Sequence, residues 1–554
     1  MNRRYPLVLL AAVLAMAAAR AWTSDDAFIT YRVVEQWLSG QGPVFNAGER
    51  VQVFTHPLWF LVLALWSGSG ASLFPGVMWL SLALFGAALA SLYVAWRDKP
   101  VGLAVVAVAM AFSPAIVDFA TSGLETALTF ALFAAACAAL RHERPRVALC
   151  ILALLPLNRF DLLPWAAPFA WIAARPGPRA RLGALATLCA PAAAWIVFST
   201  IYYGAPLPNT AYAKLGDDAL ARLDRGAAYV AASLVNDPGA LALVVVGLAL
   251  GLRAARATGV DARIAAASIA SAAIGAAYAV WAGGDFMLGR FLLPVLWAMV
   301  AAILASIQSD ATCGRRDAAF AVGIVAAALF VTGQSTSNLW IGMTESSPQR
   351  IVWLHGAVDE RRFYLPALGA WSPARFDRVA QAPLAAPQRP VGPLGLTAYR
   401  HPGELIVDVF ALADPFLARI APLPGQRSGH ALRPAIPDFM RWRDAAHTFG
   451  DARLDALAAD LRLAHRSPEL WSLERWRAIA RLAVMHPIVV ADPAPRHLRH
   501  EIAFAWVGRI ADWVEERWPE KPKPAIAAGF VLLLVSAWLR RAQRRDAGTP
   551  VTSP

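Results

Sequence analysis

The feature that most constrains this chain is the recurrence of long apolar runs closed by arginine clusters. A membrane-spanning helix needs about 20 mostly apolar residues. Candidate spans fall near 5–22, 73–96, 100–118, 123–140, 147–158, 161–174, 182–203, 238–252, 264–282, 289–307, 318–334 and 524–540. Soluble domains carry about 25% charged residues; this chain of 554 residues has 16%, with 58% apolar. That composition excludes a disordered chain, a fibre and an ordinary soluble enzyme. The runs 147–158 and 161–174 are short and interrupted by proline, as broken helices packed against protein would be. The run that begins at Pro57 is too short to cross alone. It reads as an interfacial or re-entrant piece, or as half of a tilted span.

The net charge is +13, but it is not one basic patch for a polyanion. Arg97/Lys99, Arg141/Arg144/Arg146, Arg175/Arg179/Arg181, Arg253/Arg256/Arg263, Arg315/Arg316 and Arg540/Arg541/Arg544/Arg545 each close an apolar run. With Arg3 and Arg4 inside, two crossings separate each cluster from the next, so all of them fall on the cytoplasmic side. A crossing at 57–72 would break that parity. Nucleic acid is therefore not an expected partner; membrane lipid is.

The opposite face receives 23–72, the turn near Ser122, the turn at 158–161, the loop 204–237, the turn at 283–289 and the long polar stretch 335–523. In that stretch, 405–410 reads as a short strand, and 453–463 and 469–485 read as amphipathic helices. The expected fold is a polytopic α-helical membrane protein of about 11–13 helices by the length rule, with a C-terminal extracytoplasmic α+β domain. The expected division is 1–334, 335–523 and 524–554, the last being a transmembrane helix and cytoplasmic tail.

Cys137, Cys150 and Cys189 lie in apolar runs, Cys313 lies near Arg315, and the polar stretch has no cysteine. A disulfide scaffold is excluded. The N-terminus, with Arg3, Arg4, an apolar run and Ala19-Arg20-Ala21, resembles a signal peptide. The many later spans favour an uncleaved first helix.

Ionisable groups at membrane depth are costly, so each needs a reason. Asp25 and Asp26 directly follow the first span and open an amphipathic segment, 24–39, that includes Tyr31 and Arg32. A carboxylate there suits a general base acting on an acceptor hydroxyl; it equally suits a helix N-cap. Glu49 and Arg50 read as solvated. His56, at the mouth of an apolar run, suits a phosphate contact or a cap. Glu125 opens a span after Ser122-Gly123, where it also complements a helix dipole. Arg159 and Asp161 sit between two half-helices. Pro206-Leu207-Pro208-Asn209 leads to Lys214, the one lysine in a mid-chain extracytoplasmic loop, which suits a phosphate or a snorkelling role. Gly283-Gly284-Asp285 precedes Arg290 across a span boundary. Asp408, Asp414, Arg427, His430 and Asp438 form polar islands further on. No Walker loop, dinucleotide fingerprint, nucleophile elbow or zinc spacing is present. A phosphate donor, if used, is expected to be membrane-borne. A divalent cation is possible, but no ligand spacing demands one.

The ordered set Asp25-Asp26-Ala27-Phe28-Ile29-Thr30-Tyr31-Arg32, Phe45-Asn46-Ala47-Gly48-Glu49-Arg50-Val51, Thr55-His56-Pro57-Leu58-Trp59, Ser122-Gly123-Leu124-Glu125-Thr126, Pro206-Leu207-Pro208-Asn209-Thr210 and Gly283-Gly284-Asp285 resembles one family. It is similar to the GT-C glycosyltransferases akin to the terminal β-(1→2)-arabinofuranosyltransferases of bacterial cell walls. The segment 406–414 with Ser428-Gly429-His430 resembles the start of their extracytoplasmic domain. The resemblance covers 1–440 and not 451–554. It implies a polyprenyl-phosphate sugar donor, a glycan or other envelope acceptor, usually inverting transfer, and a catalytic Asp in the first extracytoplasmic loop. It also implies a multi-pass protein of the bacterial inner membrane with its site facing the periplasm. The residues then expected to act are Asp25 or Asp26 as base; Arg159, Lys214, Arg290 and His56 on the donor phosphate; and Tyr31, Arg32, Glu125, Asp161, Asn209, Asp285 and His430 on substrate.

Two other readings stay open. A lipid-linked sugar flippase or transporter would place ionisable groups at mid-membrane and show repeated halves; the polar motifs cluster at one face, and no repeat is visible. A membrane-anchored carbohydrate-binding protein leaves 23–59 unexplained.

Overall fold

The computed structural model describes residues 4–214, 219–307, 311–331, 357–361, 364, 390–391, 394–423 and 429–490. The last expected span, 524–540, and most of 335–393 lie outside the described residues.

Helices follow the apolar runs. They cover Arg4–Ala19, Pro57–Gly68, Gly76–Trp96, Pro100–Ala111, Pro114–Phe119, Thr126–Arg141, Pro145–Leu152, Leu154–Asn158, Leu162–Ala173, Pro178–Tyr203, Pro238–Ala254, Val260–Trp281, Leu293–Ser306 and Ala311–Val331. Several open on proline, whose missing N–H costs nothing in the first turn. Gly76–Trp96, Pro178–Tyr203 and Val260–Trp281 are each long and apolar enough to cross a membrane. Ala219–Val235 and Pro238–Ala254 would make a fourth span as a pair, bent by 100°. The other apolar helices are shorter. The 12 residues of Pro57–Gly68 rise only about 18 Å, in keeping with a piece that does not cross. Large apolar side chains stay exposed along these helices, including Trp79, Val94, Trp171, Leu182, Val197, Leu248 and Trp281. Such an outer face fits a helical membrane protein.

Two expectations about the bundle helices need correction. The run 100–118 is not one helix. Pro114 breaks it, Ser113 caps the second piece, and Asp237 Oδ2 accepts from Ser113 Oγ at 2.8 Å and Ala115 N at 3.0 Å. The loop 204–237 holds helices Asn209–Lys214 and Ala219–Val235. The second is amphipathic and ends at Val235, two residues before Asp237, which also caps the next helix through Ala240 N at 2.7 Å.

Helix direction sorts the charges into two ends. The C-termini of Gly76–Trp96, Thr126–Arg141 and Leu293–Ser306 meet the N-terminus of Val260–Trp281. There Lys99 Nζ lies 2.8 Å from Asp261 Oδ2, and Arg141 Nε lies 2.9 Å from Asp261 Oδ1. Lys99 also donates to the carbonyls of Leu304 and Ala305 at 3.1 and 2.8 Å. The other ends of three of these helices carry Glu125, Asp285 and Arg290. Thr126–Arg141 has 16 residues, so the two polar layers are about 24 Å apart along it.

The apolar interior forms two clusters. The larger unites the helices above with Asp25–Leu38 and with 394–413, through Leu394, Leu396, Ala398, Ile406 and Ala413. The smaller gathers Phe416, Ile420, Trp442, Leu457, Leu461 and Ile479 around helices Ala452–Arg466 and Leu473–Ala483. Those two helices match the amphipathic stretches expected there. Of the expected strand 405–410 only Val407–Asp408 forms, paired in parallel with Pro390–Val391. Glu49 is not solvated as expected. It is 1% exposed, and Arg443 Nε at 2.6 Å and Arg466 Nη2 at 3.1 Å tie it to the smaller cluster.

Candidate functional site

Asp25–Leu38 begins where the first helix ends, with Ser24 as its N-cap in extended backbone. Its two leading carboxylates point to different structures. Asp25 accepts from the N–H groups of Gly395 and Leu396 at 2.8 and 2.9 Å. It thereby caps the short helix Gly395–Tyr399. Gly395 permits this approach, because a Cβ there would sit 1.7 Å from the Asp25 carbonyl oxygen. Asp26 is half-buried and accepts no hydrogen bond among the described residues. Burial, with Asp25 and Asp285 nearby, pushes its carboxyl up to about 7, against the pull of Arg290 and Lys214.

Glu125 is the hub of the buried charges. Its side chain is 0% exposed. Arg290 Nη2 reaches it at 3.2 Å, Arg159 Nη1 at 3.5 Å and His56 Nδ1 at 3.4 Å. Arg159 is also held by Asp161 through two bonds of 3.0 and 2.7 Å, and it lies over the Phe291 ring. Arg290 Nη1 lies 3.4 Å from Asp285 Oδ2, while its Nε–H is buried without a partner. Gly284, at φ +70°, closes the turn that brings Asp285 and Arg290 inward; a Cβ on it would lie 2.4 Å from Tyr229 Cβ. The residues Glu125, Arg159, Asp161, Asp285, Arg290 and His56, far apart in sequence, thus form one cluster. Burial lowers the His56 imidazole to about 4. With Thr30 Oγ1 at 2.8 Å from Nε2, it is a neutral member of the cluster and not a cation.

Other expected contacts serve the frame. Arg32 Nε donates to the Phe45 carbonyl at 2.7 Å, and its terminal nitrogens donate to the carbonyls of Ala398, His401 and Glu404. Tyr31 is packed against Phe28 and Tyr399. Asn209 Nδ2 holds the carbonyls of Ala411 and Leu412, both at 3.0 Å. Lys214 is exposed and lines a cleft with Arg225, Phe410, Gly429 and Arg433. His430 sits edge-on to Phe286 and Phe410, 4.5 and 4.8 Å between ring centres, and so borders the Asp285 turn.

Sequence reasoning missed Arg20, Asp118, Glu360 and Arg361. Arg20 grips Asp118 with bonds of 2.6 and 2.8 Å. Glu360 Oε2 accepts from Ser24 Oγ at 3.1 Å. These pairs span 98 and 336 positions, and no periodicity or local motif announces them. Among the described residues, no three His, Cys, Asp or Glu side chains are grouped as a metal ion would need.

Fold and site together define a helical protein with apolar candidate spans and a charge-compensated polar cluster at one end of its bundle. The chain is similar to the terminal β-(1→2)-arabinofuranosyltransferase of Mycobacterium tuberculosis, with 31% identity over 421 residues, 63% of each chain. It is 30% identical over 335 residues to the protein of the same name from Corynebacterium glutamicum, covering 51% of this chain and 47% of that one. The resemblance carried by the sequence motifs therefore holds. The chain spans less than two thirds of the length of either relative. No protein-family profile and no solved structure matches it.

Proposed function

We propose that the protein is a membrane glycosyltransferase that moves a sugar from a polyprenyl-phosphate donor to an extracytoplasmic acceptor with inversion. The names of its relatives point to arabinofuranose. The observation that carries the reading is Asp26, a carboxylate without a hydrogen-bond partner beside a cluster in which the other acids are paired. A base poised near the working pH combines the ionised form with a useful proton affinity.

In the proposed reaction, Asp26 takes the acceptor hydroxyl proton as the acceptor oxygen attacks the anomeric carbon. The bond from that carbon to the phosphate oxygen breaks, and the lipid phosphate leaves with the electron pair. Arg290 keeps an unpartnered Nε–H, and Lys214 makes no ion pair among the described residues; both are available to the growing phosphate charge. Arg159, bound to Asp161 and Glu125, steadies the cluster. The active face is periplasmic, and the basic end near Lys99 and Arg141 is cytoplasmic. The ionisable groups gather at helix ends, which favours this reading over a transporter.

The test is transfer from a radiolabelled short-prenyl phosphoryl-arabinofuranose to an arabinan oligosaccharide by the purified full chain. Label reaching the acceptor, and lost on Asp26→Asn, is the expected result. Full activity of that variant would remove the assigned base.

A further inference from the structure

Residues 357–361 cross the site as a strap that the proposed reaction does not use. At one end, Val358 N–H donates to the Phe286 carbonyl at 2.7 Å, and Leu288 N–H donates to the Val358 carbonyl at 3.1 Å. At the other, Arg361 Nε donates to the Arg20 carbonyl at 2.8 Å and lies 3.6 Å from Asp118 Oδ1. The strap therefore ties the turn carrying Asp285 and Arg290 to the junction that precedes Asp25 and Asp26. Between the anchors lies Glu360, 6% exposed, bonded to Ser24 immediately before the aspartate pair.

The charges around Glu360 come from three elements. Asp26 and Asp25, on the amphipathic helix, and Asp285, on the glycine turn, each act on it electrostatically. The cations Arg290 and Lys214 act on Asp26, Arg290 being already shared with Glu125 and Asp285. Arg20 and Arg361, beside the strap, are turned to Asp118. Burial first, then the charges of Asp26 and Asp25, push the Glu360 carboxyl well above its ordinary range, while the Ser24 hydrogen bond pulls it down.

We propose that Glu360 is a positioning residue for Asp26, a further carboxyl delivered by the strap, whose proton decides how much negative charge an anionic donor meets beside the base. The proposal rests on the reading of Asp26 as base and of a phosphate-bearing donor. With its proton in place, Glu360 adds no negative charge to that of Asp26. During transfer Asp26 takes the acceptor proton and later returns it to water, while Glu360 keeps its own. As pH climbs, Glu360 ionises, and a further negative charge beside the Ser24–Asp26 segment opposes the donor phosphate. Donor KM then rises on the alkaline side while kcat keeps the acid limb set by Asp26.

The experiment measures kcat and donor KM of the full chain from mildly acid to alkaline pH, with short-prenyl phosphoryl-arabinofuranose as the probe. Wild type should show a several-fold alkaline rise in KM. Glu360→Gln, whose amide oxygen still accepts from Ser24, should flatten it; Glu360→Asp should restore it. Ser24→Ala, by removing the bond that lowers Glu360, should move the rise to higher pH. An alkaline rise that persists in Glu360→Gln overturns the proposal. If that variant does not fold, an unmoved rise in Ser24→Ala overturns it. Failure of the underlying reading looks different: Asp26→Asn would then transfer sugar at the wild-type rate.

Discussion

Asp25 and Asp26 are neighbours in sequence but not in bonding: Asp25 is bound by two backbone N–H groups at 2.8 and 2.9 Å, and Asp26 by none among the described residues. Replacing each by Asn should separate the roles. Asp26→Asn should lose about 10²–10⁴-fold in transfer rate, the usual worth of a general base, with little change in melting temperature. Asp25→Asn leaves one of the two N–H groups unmatched, at a cost of about 1–3 kcal/mol. It should melt lower and keep a larger share of its activity. Equal rate losses in the two variants would contradict the assignment.

The pH profile tests the environment of Asp26. An ordinary carboxylate would hold activity down to about pH 4. With Asp26 pushed up to about 7, the ionised base is lost as pH falls through 7, so the acid limb of kcat/KM should lie there. Lys214 pulls Asp26 down. Lys214→Ala should therefore move that limb to higher pH and also weaken binding of the phosphate donor. A limb near pH 4 in wild type would show that Asp26 is not the titrating base.

Glu125, with its side chain 0% exposed, compensates Arg159 and Arg290. Glu125→Ala leaves two guanidinium groups short of countercharge, and breaking such buried pairs costs about 3–5 kcal/mol. The variant should unfold at a clearly lower temperature than wild type, whereas exposed Lys214→Ala should melt like wild type. A Glu125→Ala protein of unchanged stability would show that the cluster is hydrated rather than closed.

Gly284 sets the turn geometry. A side chain there meets Tyr229 Cβ at 2.4 Å, and φ is +70°, a region that costs other residues about 1–2 kcal/mol. Gly284→Ala should lower stability by at least that amount. It should also raise donor KM, because Asp285 and Arg290 ride on the turn. Ala substitution at exposed Gly40, also at positive φ but with nothing within 4 Å of its Cβ, should leave KM unchanged.

Much of the fold is legible in the sequence. The apolar runs located the helices, because hydrophobic length is a local property of the chain. Pro156 within 147–158, and Pro164 and Pro168 within 161–174, mark short interrupted helices. The amphipathic helix after the first span was readable from its alternation of Tyr31, Arg32 and Glu35 with apolar residues. Glu125, Arg159, Asp285 and Arg290 each stand out in the sequence as costly at membrane depth, but the pairing of both arginines with Glu125 does not. Which carboxylate stays free depended on Gly395, 370 residues from Asp25. Glu49 read as solvated for the same reason: its partners Arg443 and Arg466 lie across the fold. Tertiary pairing of this kind leaves no periodic trace.

The two polar layers of the bundle make the last prediction. His142 is exposed beside Arg141 at the Lys99–Asp261 end, and Lys214 is exposed at the Asp26 end. Single cysteines at these positions, in a background without the native cysteines, should react with a membrane-impermeant maleimide from opposite sides. Lys214→Cys should label in intact spheroplasts, and His142→Cys only after lysis. The basic residues near His142 make the cytoplasmic side the favourable one, since each would resist translocation. Labelling of both positions in intact cells would place the two layers on the same side of the membrane. The helix Thr126–Arg141, which joins Glu125 to the basic end, could not then be a crossing.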